Sequence, residues 1–237
     1  MEADFVFVHG FTQTPASWDP VLQAMQHEVG GDDDAVRLFI VPRTVVGGDF
    51  RDTAAALGVA DATYIGYSQG GRLALQLALD RRDVVRRLVL VSASPGIADE
   101  HARAVRRDAD EHLAQDIERD GVDAFLERWL AQPLFATLPP ERAGLDERRA
   151  DNTVESLTQQ LRVLGQGAQP SNWERLGKLQ MPVLLIVGGL DTKYVDIAHR
   201  MAERIPGARV EVIDGAGHAC HLEQPEQVAH LLASFTA

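Results

Sequence analysis

One cysteine, two lysines and no run of about 18 apolar residues: these are the scarcities of this 237-residue chain. A lone Cys220 excludes an intrachain disulfide and any multi-cysteine metal cluster. Without a long apolar run, nothing in the sequence is expected to span a bilayer. Basic residues number 23 against 35 acidic ones, leaving a net charge of −12. That charge disfavours a nucleic-acid duplex or an anionic membrane surface as partner. An anionic ligand would need a local basic pocket working against the global field. Met1-Glu2-Ala3-Asp4 is acidic and lacks the apolar core of a secretory signal, so a cytoplasmic protein is expected. There is no internal repeat or low-complexity tract. The scarcity of lysine beside 21 arginines reads as genome composition rather than function.

What is present is 45% hydrophobic residues, enough for a substantial core in one domain with an insertion or in two small domains. The apolar residues fall in short runs that stop at turn signals: residues 5–8, 38–41, 63–65, 88–91, 183–187 and 210–213. Continuous β-branched runs of this length suit strands buried on both faces, as in a parallel sheet. Residues 71–79 and 197–205 carry apolar side chains at helical spacing. This alternation predicts βαβ units and an α/β fold with a mostly parallel, doubly wound sheet.

From about Ile97 to Arg175 the alternation stops. Residues 103–117, 122–130 and 153–164 read as amphipathic helices, broken by Pro133, Pro139-Pro140 and Pro170. The stretch carries 10 Arg and 16 acidic residues. It falls between the fourth and fifth strands, so residues 97–175 are expected to form a helical lid over the sheet's carboxyl edge. Residues 1–96 and 176–237 would then form the core.

Gly66-Tyr67-Ser68-Gln69-Gly70 is a G-x-S-x-G pattern directly after a strand and before a helix. In that context it predicts a sharp, strained turn that lifts a serine hydroxyl to the sheet edge, with flanking glycines leaving it room. A reactive serine needs a histidine, and the histidine an orienting carboxylate, in the chain order Ser, acid, His. Asp191 and His218 both follow strands, at the edge where open α/β sheets bind ligands. Asp214 and Asp196 are rival acids and His221 a rival base; the glycines before His218 favour it. His9-Gly10-Phe11-Thr12 closes the first strand, and the Phe11 and Gln69 N–H groups are candidates for a two-donor oxyanion hole. His218-Ala219-Cys220-His221 is too poor in ligands for a metal site, and neither metal nor cofactor is expected.

These residues, in this order, resemble the α/β-hydrolase fold across nearly the whole chain. A closer resemblance links His9-Gly10-Phe11-Thr12, Gly66 to Arg72, Ser94-Pro95-Gly96, Arg106-Arg107, Trp129 with Gln132-Pro133-Leu134-Phe135, Gly165-Gln166-Gly167 with Gln169-Pro170, Asp191-Thr192-Lys193-Tyr194 and Gly217-His218 with His221 to one family. That family is the 2-succinyl-6-hydroxy-2,4-cyclohexadiene-1-carboxylate synthases of menaquinone biosynthesis, lyases that eliminate pyruvate from an enolpyruvyl cyclohexene carboxylate. The resemblance implies that Ser68, Asp191 and His218 form a triad working as a base, without cofactor. It also implies substrate contacts at Tyr67, Arg72, Arg106, Trp129 and Arg149, and a small carboxylate as the binding partner. The chain departs from the pattern at Gln69, where the family generally shows Met or Leu. It departs again at Val41-Pro42-Arg43-Thr44, where the fold commonly has an acidic residue and a Pro-Gly-His-Gly turn. The alternative within the same fold is a serine hydrolase acting on an ester or a carbon–carbon bond, with an apolar pocket.

Overall fold

The computed structural model describes residues 3–29, 36–40, 48–59 and 61–236. Among the described residues six parallel strands form the sheet: β1 (Ala3–Val8), β2 (Val36–Ile40), β3 (Ala62–Tyr67), β4 (Val85–Val91), β5 (Val183–Gly188) and β6 (Arg209–Ile213). Their order is β2-β1-β3-β4-β5-β6. All six predicted strands are present. Val41, the last residue of the second predicted run, lies outside the described residues, as do Met1, Glu2 and Pro42 to Thr44.

Each central strand divides its apolar residues between two faces, as a side-chain period of two demands. Val6 and Val8 of β1, Tyr64 of β3, Leu88 and Leu90 of β4 and Leu185 and Val187 of β5 enter one buried cluster. Phe5, Phe7, Ile65, Tyr67, Val89, Val91, Leu184 and Ile186 enter the other. The first face is covered by α2 (Phe50–Ala55), α3 (Gln69–Asp80) and α7 (Thr192–Ala202). The second is covered by α1 (Asp19–Val29), α8 (Cys220–Glu223) and α9 (Pro225–Thr236). Two-sided burial is why these strands read as unbroken apolar runs. β6 differs: as an edge strand it leaves Val212 exposed and carries Glu211.

Between β4 and β5 lie α4 (Glu100–Leu130), α5 (Leu145–Asp151) and α6 (Val154–Leu164), with 3-10 turns at Pro133–Phe135 and Pro140–Arg142. α4 is two helices joined at Gly121, whose φ of 80° is open to glycine at little cost. This is the break expected between residues 117 and 122. Asp99 caps the start of α4 through Ala102 N–H at 2.7 Å, and a Thr153–Ser156 capping box starts α6. Ala114, Ile117, Phe125, Leu126, Leu157 and Leu161 make a small core of their own between α4 and α6. α7 begins five residues before the predicted 197, because Asp191 caps it, and ends at Ala202.

Candidate active site

The site is built at the carboxyl ends of β1, β3, β5 and β6. Ser68 stands between β3 and α3 with φ 49° and ψ −106°, a conformation unfavourable for a non-glycine residue by about 1–3 kcal/mol. The glycines around it are required by close approach. A Cβ on Gly66 would lie 2.6 Å from the Gly70 carbonyl, and one on Gly70 2.2 Å from the Val8 carbonyl. The elbow is thereby pressed against the end of β1. Ser68 N–H donates to Val91 O at 2.9 Å and Ser68 O accepts from Arg72 N–H at 3.0 Å, holding the turn from both sides.

His218 Nε2 lies 3.2 Å from Ser68 Oγ, and His218 Nδ1 lies 2.7 Å from Asp191 Oδ2. The other Asp191 oxygen accepts from Tyr194 N–H at 3.4 Å. His218 is buried, with the Tyr194 ring 4.7 Å and the Tyr67 ring 5.4 Å from its own. The rivals stand elsewhere. Asp214 and Asp196 are exposed. His221 is fully buried between Tyr67 and Trp18, bonded to Gln13 at 3.3 Å, and desolvation holds its pKa well below the usual histidine value.

Glu223 was not singled out by sequence reasoning. One of its oxygens accepts from Gly217 N–H at 2.7 Å and the other from Ala219 N–H at 3.2 Å, straddling His218. On the opposite side, Gly10 N–H donates to Gln13 Oε1 at 3.1 Å, shaping the loop after β1. Thr12, at φ 65°, is tied to α5 by Arg148 on its hydroxyl and by Asn152 Nδ2 on its carbonyl at 2.8 Å. Neither Phe11 N–H nor Gln69 N–H has a partner among the described residues, and both residues line the cavity that holds Ser68.

That cavity encloses about 330 Å³. Ser68, His218, Phe11, Gln69, Tyr67, Arg72, Arg106 and Trp129 all line it. Arg149 does not: it faces outward to Glu127, Asp123 and Asp146, and its neighbour Arg148 takes the inward position. Successive residues on a helix point about 100° apart, and here that turn carries Arg149 from the cavity to the acidic groups outside. Asp110, Gln166, Lys193 and Tyr194 are also on the wall. A larger groove of 690 Å³ shares Gln13 and Arg148 but contains neither Ser68 nor His218.

The three inward arginines are not equivalent. Arg106 Nε donates to Asp110 Oδ1 at 2.7 Å, and its Nη1 to Gln166 Oε1 at 2.9 Å. Asp110 is buried and also accepts from Gly167 N–H at 3.0 Å. Arg148 is buried, donating to Ala143 O at 2.7 Å and to Thr12. Arg72 has the fewest hydrogen bonds of the three. It is 5% exposed, its one side-chain hydrogen bond among the described residues is to Gln169 Oε1 at 3.4 Å, its Nε has no hydrogen-bond partner, and the guanidinium stands over the Phe50 ring at 5.8 Å. Burial pulls the pKa of both Arg72 and Arg148 down to about 10. Trp129 packs edge-on against Phe11 at 5.2 Å while its indole N–H stays unpaired, so it serves the helical core and the cavity wall together. Among the described residues no group of three or more His, Cys, Asp or Glu is placed to hold a metal ion.

A doubly wound parallel sheet with a strained serine at the first turn after its third strand, facing a histidine–aspartate pair, defines an enzyme of α/β-hydrolase architecture. The chain belongs to the alpha/beta hydrolase family, whose profile matches residues 5–231. It is similar to the 2-succinyl-6-hydroxy-2,4-cyclohexadiene-1-carboxylate synthase of Salmonella schwarzengrund, with 30% identity over 97% of this chain and 92% of that one. It is 33% identical, over 97% of this chain and 89% of the other, to a Bacillus subtilis protein provisionally given the same name. Among solved structures it resembles MenH from S. aureus, with a TM-score of 0.89 and 26% identity over 99% of this chain and 93% of that one. The fold is shared more widely, for instance with the esterase EaEST from Exiguobacterium antarcticum, at a TM-score of 0.74 and 19% identity over 99% of this chain and 92% of that one. Among the described residues no helix is long and apolar enough to cross a membrane.

Proposed function

We propose that this protein is a cofactor-free lyase that eliminates pyruvate from an enolpyruvyl cyclohexene carboxylate, forming 2-succinyl-6-hydroxy-2,4-cyclohexadiene-1-carboxylate in menaquinone biosynthesis. The observation that carries the reading is Arg72: a buried guanidinium without a carboxylate partner, on the wall of the cavity that holds Ser68 and His218. A buried cation left unanswered is costly unless an anion arrives to pair with it. An ester hydrolase with an apolar acyl pocket has no use for such a group. The similarity to the Salmonella synthase supports the same conclusion.

In this reading His218, oriented by Asp191, draws the proton of Ser68, and the serine oxygen takes a proton from a ring carbon of the substrate. The electron pair forms a new ring double bond and the carbon–oxygen bond to the enolpyruvyl group breaks. The departing enolpyruvate accepts a proton and becomes pyruvate. Phe11 and Gln69 N–H groups stabilise negative charge as it develops. Arg72, Arg106 and Arg148 bind carboxylates, Arg72 and Arg148 through donors left free, and Tyr67 and Trp129 bound the ring. Arg149 has no part. Residues 97–175 act as a lid on a core of residues 1–96 and 176–237, closing Arg106 and Trp129 over the bound substrate. The enzyme works in the cytoplasm on a small carboxylate, apart from nucleic acid and membrane. The test is pyruvate release by the purified protein from the enolpyruvyl precursor, beside a panel of short aryl esters. Ester turnover without pyruvate release, with a stoichiometric adduct on Ser68 by mass spectrometry, would make it a serine hydrolase instead.

A further inference from the structure

One hydrogen-bond chain in the cavity wall can run in only one direction. A guanidinium donates and never accepts, so Arg106 Nη1, 2.9 Å from Gln166, must face the amide oxygen. The amide nitrogen of Gln166 is thereby turned to the Tyr194 hydroxyl at 3.1 Å and donates to it. The hydroxyl oxygen is an acceptor in this pair, and its own proton is left for another group. No described residue accepts it. Tyr194 is 5% exposed and shares the cavity wall with Ser68, Arg72 and His218.

The ring is held firmly where it stands. Tyr194 N–H donates to Asp191 O at 2.9 Å, and its ring packs against His218. Burial raises the phenol's pKa, so the proton stays on oxygen throughout the working range, with Arg72 close enough to oppose the rise. A charge at the Arg106 end polarises the chain towards donation at the Tyr194 end.

Resting on the carboxylate-lyase reading, we propose that the Tyr194 hydroxyl donates a hydrogen bond to the substrate carboxylate that Arg72 binds. Tyr194 is then a specificity-determining residue. Phenylalanine would keep the ring, the backbone bonds and the packing, and remove the donor alone.

Tyr194→Phe should lower kcat/KM for the enolpyruvyl substrate about tenfold or more, and lower that for para-nitrophenyl acetate by a much smaller factor. Succinate, as a competitive inhibitor of ester turnover, serves as a probe independent of the lyase chemistry, and its inhibition constant should rise by a comparable factor. Gln166→Glu supplies a second variant. Its carboxylate accepts both from Arg106 and from the Tyr194 hydroxyl, turning the tyrosine proton away from the cavity. Adding Tyr194→Phe to Gln166→Glu should therefore raise the succinate constant little further. Equal losses on the anionic and neutral substrates, an unchanged succinate constant, or full additivity of the two substitutions would each overturn the assignment. A wild-type protein that releases no pyruvate would refute the lyase reading, and the succinate series would still decide the role of Tyr194.

Discussion

Arg106 and Asp110 are joined at 2.7 Å one turn apart on α4, and the carboxylate is the more deeply buried of the two, at 2% against 33% exposure. Arg72 has no such partner. The two arginines should therefore fail differently. Arg72→Ala should lower kcat/KM for the anionic substrate by about 10- to 150-fold with a much smaller loss on a neutral ester. Arg106→Ala strands a buried carboxylate and should also depress the melting temperature. Asp110→Asn added to Arg106→Ala should restore the melting temperature without restoring kcat/KM. Thermal denaturation beside steady-state kinetics on both substrates checks this.

Ser68→Ala and His218→Ala should each remove about three to six orders of magnitude of turnover. The Ser68 variant should melt no lower than wild type, since the elbow's unfavourable φ becomes no worse for alanine. A tenth of the activity surviving in Ser68→Ala would move the chemistry elsewhere.

Glu223 holds the peptide groups on both sides of His218 with separate oxygens. Glu223→Gln keeps the shape but offers one acceptor for two donors, loosening the imidazole against Ser68. As a positioning residue it should lower kcat about 10- to 100-fold and leave KM nearly unchanged. A rise in KM with kcat intact would contradict this role.

His221 predicts an acid limit to stability. Its folded pKa lies well below 6.5, so between those values the unfolded chain binds a proton that the folded chain refuses. Its contribution is fully present above about pH 6.5 and declines as the pH falls towards the folded value. The slope should approach about 1.4 kcal/mol per pH unit from this group. His221→Gln should be less stable at neutral pH yet show a flatter decline between pH 6.5 and 5, measured by denaturant unfolding across that range.

Residues marked by a motif were legible in the sequence; those marked only by the contacts of the folded chain were not. The strands announced themselves because burial on both faces leaves no polar interruption, and Ser68 because its glycines are dictated by backbone contact. Local pattern does not separate Arg149, expected at the site, from Arg148, the one that lines the cavity. Either could face inward until the start of the short helix α5 at Leu145 set the angle. Asp110 looked like one more charge in an acidic stretch, since nothing local says that Arg106 and Gly167 N–H meet on it. Glu223 and the directed Arg106–Gln166–Tyr194 chain depend in the same way on contacts made only in the folded molecule.

Cys220, two residues after His218, is completely buried, and burial pushes its thiol pKa up to about 12. Because the thiolate is the reactive form, a thiol-directed reagent finds almost nothing to attack while the protein stays closed. The cysteine is the only one in the chain. Its labelling rate is thus an intrinsic clock for the opening of the histidine loop, one that needs no engineered probe. Any compound that settles in the neighbouring cavity and tightens this loop would slow the clock, giving a way to detect occupancy without turnover.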